Sequence, residues 1–300
     1  MTPAFHKFLM VGMAAASLLF GPAHSADKVP VVASFSILGD LVRVVGGERV
    51  SVTTLVGPDE DAHVFEPRPA DARAIVQSRL LVVNGLGFEP WAQKLVRSAV
   101  FKGDTVVASK GVKPRLMDHE KGSGETDPHA WQNPVNVMVY ARNIAGGLAQ
   151  VDPAGAAVYQ ANAETYVKEL QALDAETNTR FAAISLDKRK VITSHDAFGY
   201  FGARYQIRFL APQGVSTDGE PSARQVALLI RQIQREKIKA VFVENMTSPR
   251  LLAQLSKDAG VTAGPALFVD ALSAPNGPAG TYLKLMRHNA VQLAAGMRLN

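Results

Sequence analysis

One helical pattern divides this chain and limits what it can become. Asp152-Pro153 reads as a helix start, a capping residue followed by proline at the first position. From there Tyr159, Ala163, Tyr166, Leu170, Leu173, Thr177, Phe181 and Ile184 recur at steps of three and four, which makes one mostly apolar face. The pattern lasts about 30 residues, or roughly 45 Å at the usual helical rise. A helix that long lies along a whole protein, so it is read as a strut joining two lobes.

Both flanks of the strut alternate strand and helix. Before it, VPVVASF (29–35), VSVTTLV (50–56), RLLVVNG (79–85) and DTVVAS (104–109) read as strands with helical stretches between them. After it, KVITS (190–194), QIRFLA (206–211), AVFVE (240–244) and ALFVD (266–270) repeat the pace, and a last helix closes the chain. Such alternation indicates βαβ units and parallel sheets. The expected fold class is α/β, with two lobes that each hold a mostly parallel sheet flanked by helices, joined by one long helix. The expected divisions are a leader over 1–25, an N-terminal lobe over 26–151, the linking helix over 152–186 and a C-terminal lobe over 187–300. No internal sequence repeat relates the lobes. Residues 111–128 are polar and irregular and read as an exposed, mobile loop.

The first 25 residues decide which part of the chain counts. Lys7 precedes an apolar run from Phe8 to Phe20, and the small residues Ala23 and Ser25 stand before a cut at Ala26. That is the pattern of a cleavable secretory signal, and the run is too short for a membrane anchor. The chain has no cysteine. Disulfides are therefore excluded, as is a lipid-bearing cysteine after the signal, and a soluble periplasmic protein is expected. Cleavage leaves about 275 residues, enough for two domains of ordinary size. It removes Lys7 and no acid, so the formal charge drops by one from +5. Lys and Arg are dispersed, with no basic stripe among aromatics, so nucleic acid is not an expected partner. A monomer is expected.

Four residues, far apart along the chain, carry the candidate chemistry: His63 in DAHVFEP, His129 in DPHAWQNP, His195 in TSHDAF and Asp270 in FVDALS. Three imidazoles and one carboxylate make a complete shell for a borderline-soft divalent cation. His63 lies just past the strand 50–56, and His195 and Asp270 lie at strand ends, where open α/β sheets place their ligands. Each has an ordinary rival reading. His63 suits an exposed surface, His129 a loop stacked on Trp131, His195 a buried core and Asp270 a helix cap. Asp127 is placed to accept a hydrogen bond from the second ring nitrogen of His129. Glu66 reads as a cap or a group behind the shell, and Glu244, at a strand end, as a possible support. His119 in the polar loop and His288 on the last helix are weaker candidates, His288 as a surface residue.

Taken together these segments resemble the solute-binding proteins of zinc and manganese ABC importers, from about Val31 to the C-terminus. DAHVFEP, DPHAWQNP and TSHDAFGYF look like that family's three histidine segments, and FVDALS like its closing aspartate. GEPSARQVALLIRQIQREKIKAVFVE is similar to the stretch ahead of that aspartate. The resemblance implies two α/β lobes on one stiff helix, metal held in the cleft, and limited domain motion. It implies delivery to an inner-membrane permease driven by an ATPase, with a metallochaperone as a further candidate partner. Many zinc members carry a long histidine-rich loop before the second histidine, whereas residues 111–128 here hold only His119.

The expected function is periplasmic capture of Zn²⁺ and its delivery to the permease, without enzymatic activity. Manganese-type members generally present two histidines and two carboxylates, and oxygen ligands suit Mn²⁺; a third imidazole, His195, favours zinc. A manganese importer component is the alternative. An envelope zinc hydrolase is a further one, which would need an open water position and Glu66 or Glu244 as base. An adhesin would predict an anchor or repeats.

Overall fold

The structure is a computed structural model that describes residues 27–117, 124–212, 214, 217, 222–247 and 249–300. The expected signal segment 1–25 and His119 lie outside the described residues. No helix among those described is long and apolar enough to cross a membrane.

The first lobe runs β1 (Val29–Phe35), α1 (Ser36–Gly46), β2 (Val50–Val56), α2 (Pro69–Gln77), β3 (Leu80–Val83), α3 (Pro90–Ser98) and β4 (Asp104–Val107). Its sheet is parallel, in the order β2-β1-β3-β4. Val31 faces Val52 on one side and Leu80 on the other. β1 and β3 are buried almost throughout, which explains their near-continuous apolar runs. Then come α4 (Pro134–Val151) and the long α5 (Ala156–Ala182). Asn133 caps α4 by accepting from Val135 N–H, with Pro134 at the first position.

The second lobe runs β5 (Lys190–Ile192), α6 (Gly199–Tyr205), β6 (Arg208–Leu210), α7 (Ala223–Glu236), β7 (Val241–Glu244), α8 (Pro249–Ala259), β8 (Ala263–Leu267) and α9 (Tyr282–Leu299). Its parallel sheet has the equivalent order, β6-β5-β7-β8. In each sheet the chain leaves the first strand in one direction and returns to its other side. That switch opens a crevice beyond the carboxyl ends of the strands, where the candidate residues lie.

Three expectations need correction. Asp152 and Pro153 start a short 3₁₀ turn ahead of α5 rather than α5 itself, and the Asp152 carboxylate is drawn to Arg49 at 2.8 Å and the Tyr159 hydroxyl at 2.6 Å without a side-chain cap bond. The last strand is β8 and stops at Leu267 rather than at Asp270. The Asn289 side chain takes over there, accepting from Phe268 N–H and donating to Phe268 O, so the chain turns away from the ladder before Asp270. Within 111–128 the described parts are not a free loop. Leu116 and Thr126 form an antiparallel bridge, and Val112, Met117 and Asp127 are buried.

α5 packs against α1 and α4 of the first lobe and α9 of the second. One apolar core therefore runs from the first sheet through the long helices into α9. A second, smaller core of Ile192, Leu229, Ile233, Ile238, Val241 and Leu255 lies beneath α7 and α8.

Candidate metal centre

The segment after β2 turns sharply to bring His63 inward. Gly57 N–H donates to Glu60 Oε2 at 2.6 Å, and Asp59 adopts a left-handed backbone with φ 57°, which a short polar side chain tolerates. Asp61 Oδ1 accepts from His63 N–H at 2.9 Å, and the His63 side chain is only 6% exposed. The edge of the Phe88–His63 ring pair, with centroids 4.8 Å apart, belongs to an apolar wall that continues through Phe35 and Trp131.

His129 is fully buried ahead of α4. Asp127 Oδ1 accepts from His129 N–H at 3.0 Å and from its ring Nδ1 at 2.9 Å. His195, also fully buried, is mounted in the same way from the second sheet. Glu244, the last residue of β7, accepts with one oxygen from Ser194 N–H (2.8 Å) and His195 N–H (3.0 Å), and with the other from His195 Nδ1. An ionised carboxylate only accepts, so each Nδ1 carries a proton and each Nε2 faces the cleft.

Asp270 is fully buried beyond β8. Its segment is fixed by its neighbour, because Trp131 Nε1 and Gln132 Nε2 both donate to Val269 O, at 3.0 and 2.9 Å. Neither carboxylate oxygen of Asp270 has a hydrogen-bond partner among the described residues, and the same holds for His195 Nε2. Buried polar atoms are rarely left so. They all face one point. Asp270 Oδ2 stands 3.2 Å from His63 Nε2 and 3.1 Å from His195 Nε2, His63 Nε2 stands 3.3 Å from His129 Nε2, and Asp270 Oδ1 stands 3.8 Å from His129 Nε2. One ligand atom from each residue lies within 4.8 Å of all the others. A tetrahedron with bonds of about 2.0–2.1 Å has edges of about 3.3 Å.

Electrostatics match this convergence. Burial alone would lower the His195 pKa, but the carboxylates of Glu244 and Asp270 outweigh it and hold the imidazolium well above its usual range in the metal-free protein. Burial opposes the charge on Asp270 too, and the facing histidines, His195 and His129 first, bring its pKa well below the carboxylate norm. A divalent cation at that point would replace the proton as the positive charge.

The remaining candidates lie elsewhere. Glu66 is exposed and caps nothing, since the bond at the start of α2 runs from Arg68 N–H to Asp71. His288 is partly buried against the Phe268 ring and bonds Ala266 O at 3.0 Å, so it is more than a bare surface residue. Sequence reasoning missed Asn84, Phe88 and Asn245. Asn84 and Asn245 each follow a buried strand directly, and a polar amide at that place was the available signal.

A profile of the family described as ZnuA, zinc-uptake complex component A, periplasmic, matches residues 31–296. The chain belongs to this ZnuA family. Members of the ZnuA family are substrate-binding components that work with the permease and ATPase of ABC metal importers, and this chain is such a metal-binding component. The manganese-binding lipoprotein MntA of Halalkalibacterium halodurans is 32% identical over 92% of this chain and 91% of its own length. The iron-binding protein YfeA of Yersinia pestis is 32% identical over 92% of this chain and 88% of its own length. The periplasmic zinc binding protein TroA from Treponema pallidum superposes with a TM-score of 0.85 at 25% identity, over 90% of this chain and 99% of that one. ZnuA-family relatives thus carry names for three different metals, and the two expected parallel sheets are those of the family fold.

Proposed function

We propose that this protein captures Zn²⁺ in the periplasm, between lobes spanning 26–151 and 187–300, and hands it to the permease of an ABC importer. His63, His129 and His195, each through Nε2, and Asp270 through a carboxylate oxygen are the four ligands. One observation carries the reading: three imidazole nitrogens and a fully buried aspartate converge on one point, and Asp270 has no other partner among the described residues. A donor set of three nitrogens and one oxygen favours zinc. A single chain supplies all four donors, so the working unit is a monomer.

A second reading is Mn²⁺ capture. Asp270 presents both oxygens toward the cluster, and a bidentate carboxylate would add the oxygen character that manganese prefers. MntA, at 32% identity, is named for that metal. A zinc hydrolase has less support. Four protein donors leave no open water position, both Glu244 oxygens are engaged, and Glu66 is exposed.

The test is a competition titration of the metal-free protein against chelators of known affinity, for zinc and for manganese, beside His129→Ala. Zinc should bind far tighter than manganese, and His129→Ala should weaken it strongly. Manganese binding tighter than zinc would overturn the zinc assignment, and an unchanged His129→Ala would remove that residue from the shell.

A further inference from the structure

Asn245, the first residue after β7, touches the surroundings of three of the four proposed ligands. Its Oδ1 accepts from Val269 N–H at 3.4 Å and its Nδ2 lies 3.5 Å from Ala271 O, so the amide brackets Asp270 from both sides. The same Nδ2 donates to Asp59 Oδ1 at 2.8 Å, reaching across the cleft to the turn that carries His63. Glu244, its neighbour in the chain, grips His195. A second bond ties the same turn to the Asp270 segment, from Asp59 N–H to Leu272 O at 2.9 Å.

We infer that Asn245 is a positioning residue that couples the two lobes at the metal site, fixing the His63 turn against Asp270. The inference rests on the ligand assignment proposed above. Its chemistry is specific to an amide, which offers a donor and an acceptor at once. An aspartate here would keep the acceptor for Val269, lose the donor, and set a second carboxylate against Asp59. The Asn245–Asp59 contact is a hydrogen bond between two polar groups, so their exchange should preserve it.

The experiment compares zinc affinity in wild type, Asn245→Asp, Asp59→Asn and the double variant, with the melting temperature of each metal-free protein as a folding control. Asn245→Asp should weaken zinc about 10-fold, the scale expected for groups that orient metal ligands. Asp59→Asn keeps an acceptor oxygen for Asn245 and should stay near wild type. The double variant restores a donor and an acceptor with the polarity reversed, and should recover most of the affinity that Asn245→Asp loses. Asp59→Gly serves if Asn245→Asp does not fold. It suits the left-handed backbone, deletes only the carboxylate, and should also weaken zinc. Zinc affinity that depends on His129 but is indifferent to Asn245→Asp or, in its place, Asp59→Gly overturns the coupling alone. So does a double variant no better than Asn245→Asp. Indifference to His129→Ala in the same titration overturns the ligand assignment and the coupling with it.

Discussion

Asn84 and Asn245 stand at matching places in the two lobes, each directly after the third strand of its sheet. Asn84 is fully buried and looks inward. Its Nδ2 donates to Pro128 O at 2.9 Å, just ahead of His129, while its Oδ1 accepts from the Tyr140 hydroxyl at 2.6 Å. Its own N–H donates to Glu89, a buried carboxylate that also accepts from the Ser34 hydroxyl. Every one of these partners belongs to the first lobe or to the segment that leads into α4. Asn245 is half-buried and reaches across the cleft. The difference shows how the two halves of the site are built. His129 is set by a buried network within one lobe. Asp270 is set by both lobes, since Trp131, Gln132 and Ser36 of the first lobe also bond its flanks, the last as Leu272 N–H donating to Ser36 Oγ at 2.9 Å. One half of the site is therefore held within a lobe and the other half by bonds between the lobes.

The largest effect that would test this division is loss of the second lobe's imidazole. His195→Ala should cost roughly 100-fold or more in zinc affinity, about a quarter of the total typical of four-ligand zinc sites. The same titration should also lose pH steepness. The raised His195 pKa means zinc must displace a proton, so wild-type affinity falls as pH drops through that range. Zinc affinity unaltered in His195→Ala, at a chelator-buffered free-zinc level, would break the two-lobe site altogether.

A smaller effect separates the two asparagines. Asn84→Ala strands a buried Tyr140 hydroxyl and the Pro128 carbonyl, at about 1–3 kcal/mol for each unsatisfied group. The metal-free protein should melt several degrees lower, at roughly 2–4 °C per kcal/mol for a chain of this size. Asn245→Ala, half-exposed, should lower the same melting temperature less. Equal losses in a thermal scan would mean that both networks serve stability alone.

The smallest expected change is a slope with pH. Burial raises the Glu89 pKa to about 7 despite hydrogen bonds from Ser34, Asn84 and Gly85. The unfolded value lies near the ordinary glutamate one, so the native state holds an extra proton between the two. Stability should fall as pH rises through that window and level off above it, by about 1–2 kcal/mol between pH 6 and 8. Urea unfolding of the metal-free protein at both pH values measures it. Glu89→Gln should be flatter by that amount, and an identical slope would show that Glu89 is ionised in the folded chain throughout.

Much of the architecture was legible from periodicity. β2 falls on 50–56, as its β-branched run indicates, and the Asn133-Pro134 start of α4 follows from capping chemistry. His63 and His195 stood out as imidazoles beyond strands, and His129 as one just ahead of a capped helix. Asp152 misled because its local cap signal lost to Arg49, a partner far away in sequence. The end of β8 misled for the same kind of reason, with Asn289 on a later helix replacing the ladder.

The linear order of residues determined the two alternating halves, the strut between them and the inventory of donors, because helix and strand periods, caps and ligand chemistry are local properties. Which donor atoms converge, which carboxylate orients which ring and which asparagine reaches across the cleft were decided only in the folded molecule. Those relations join residues that can stand more than two hundred positions apart, and a contact at that range leaves no periodic trace in the sequence of either partner.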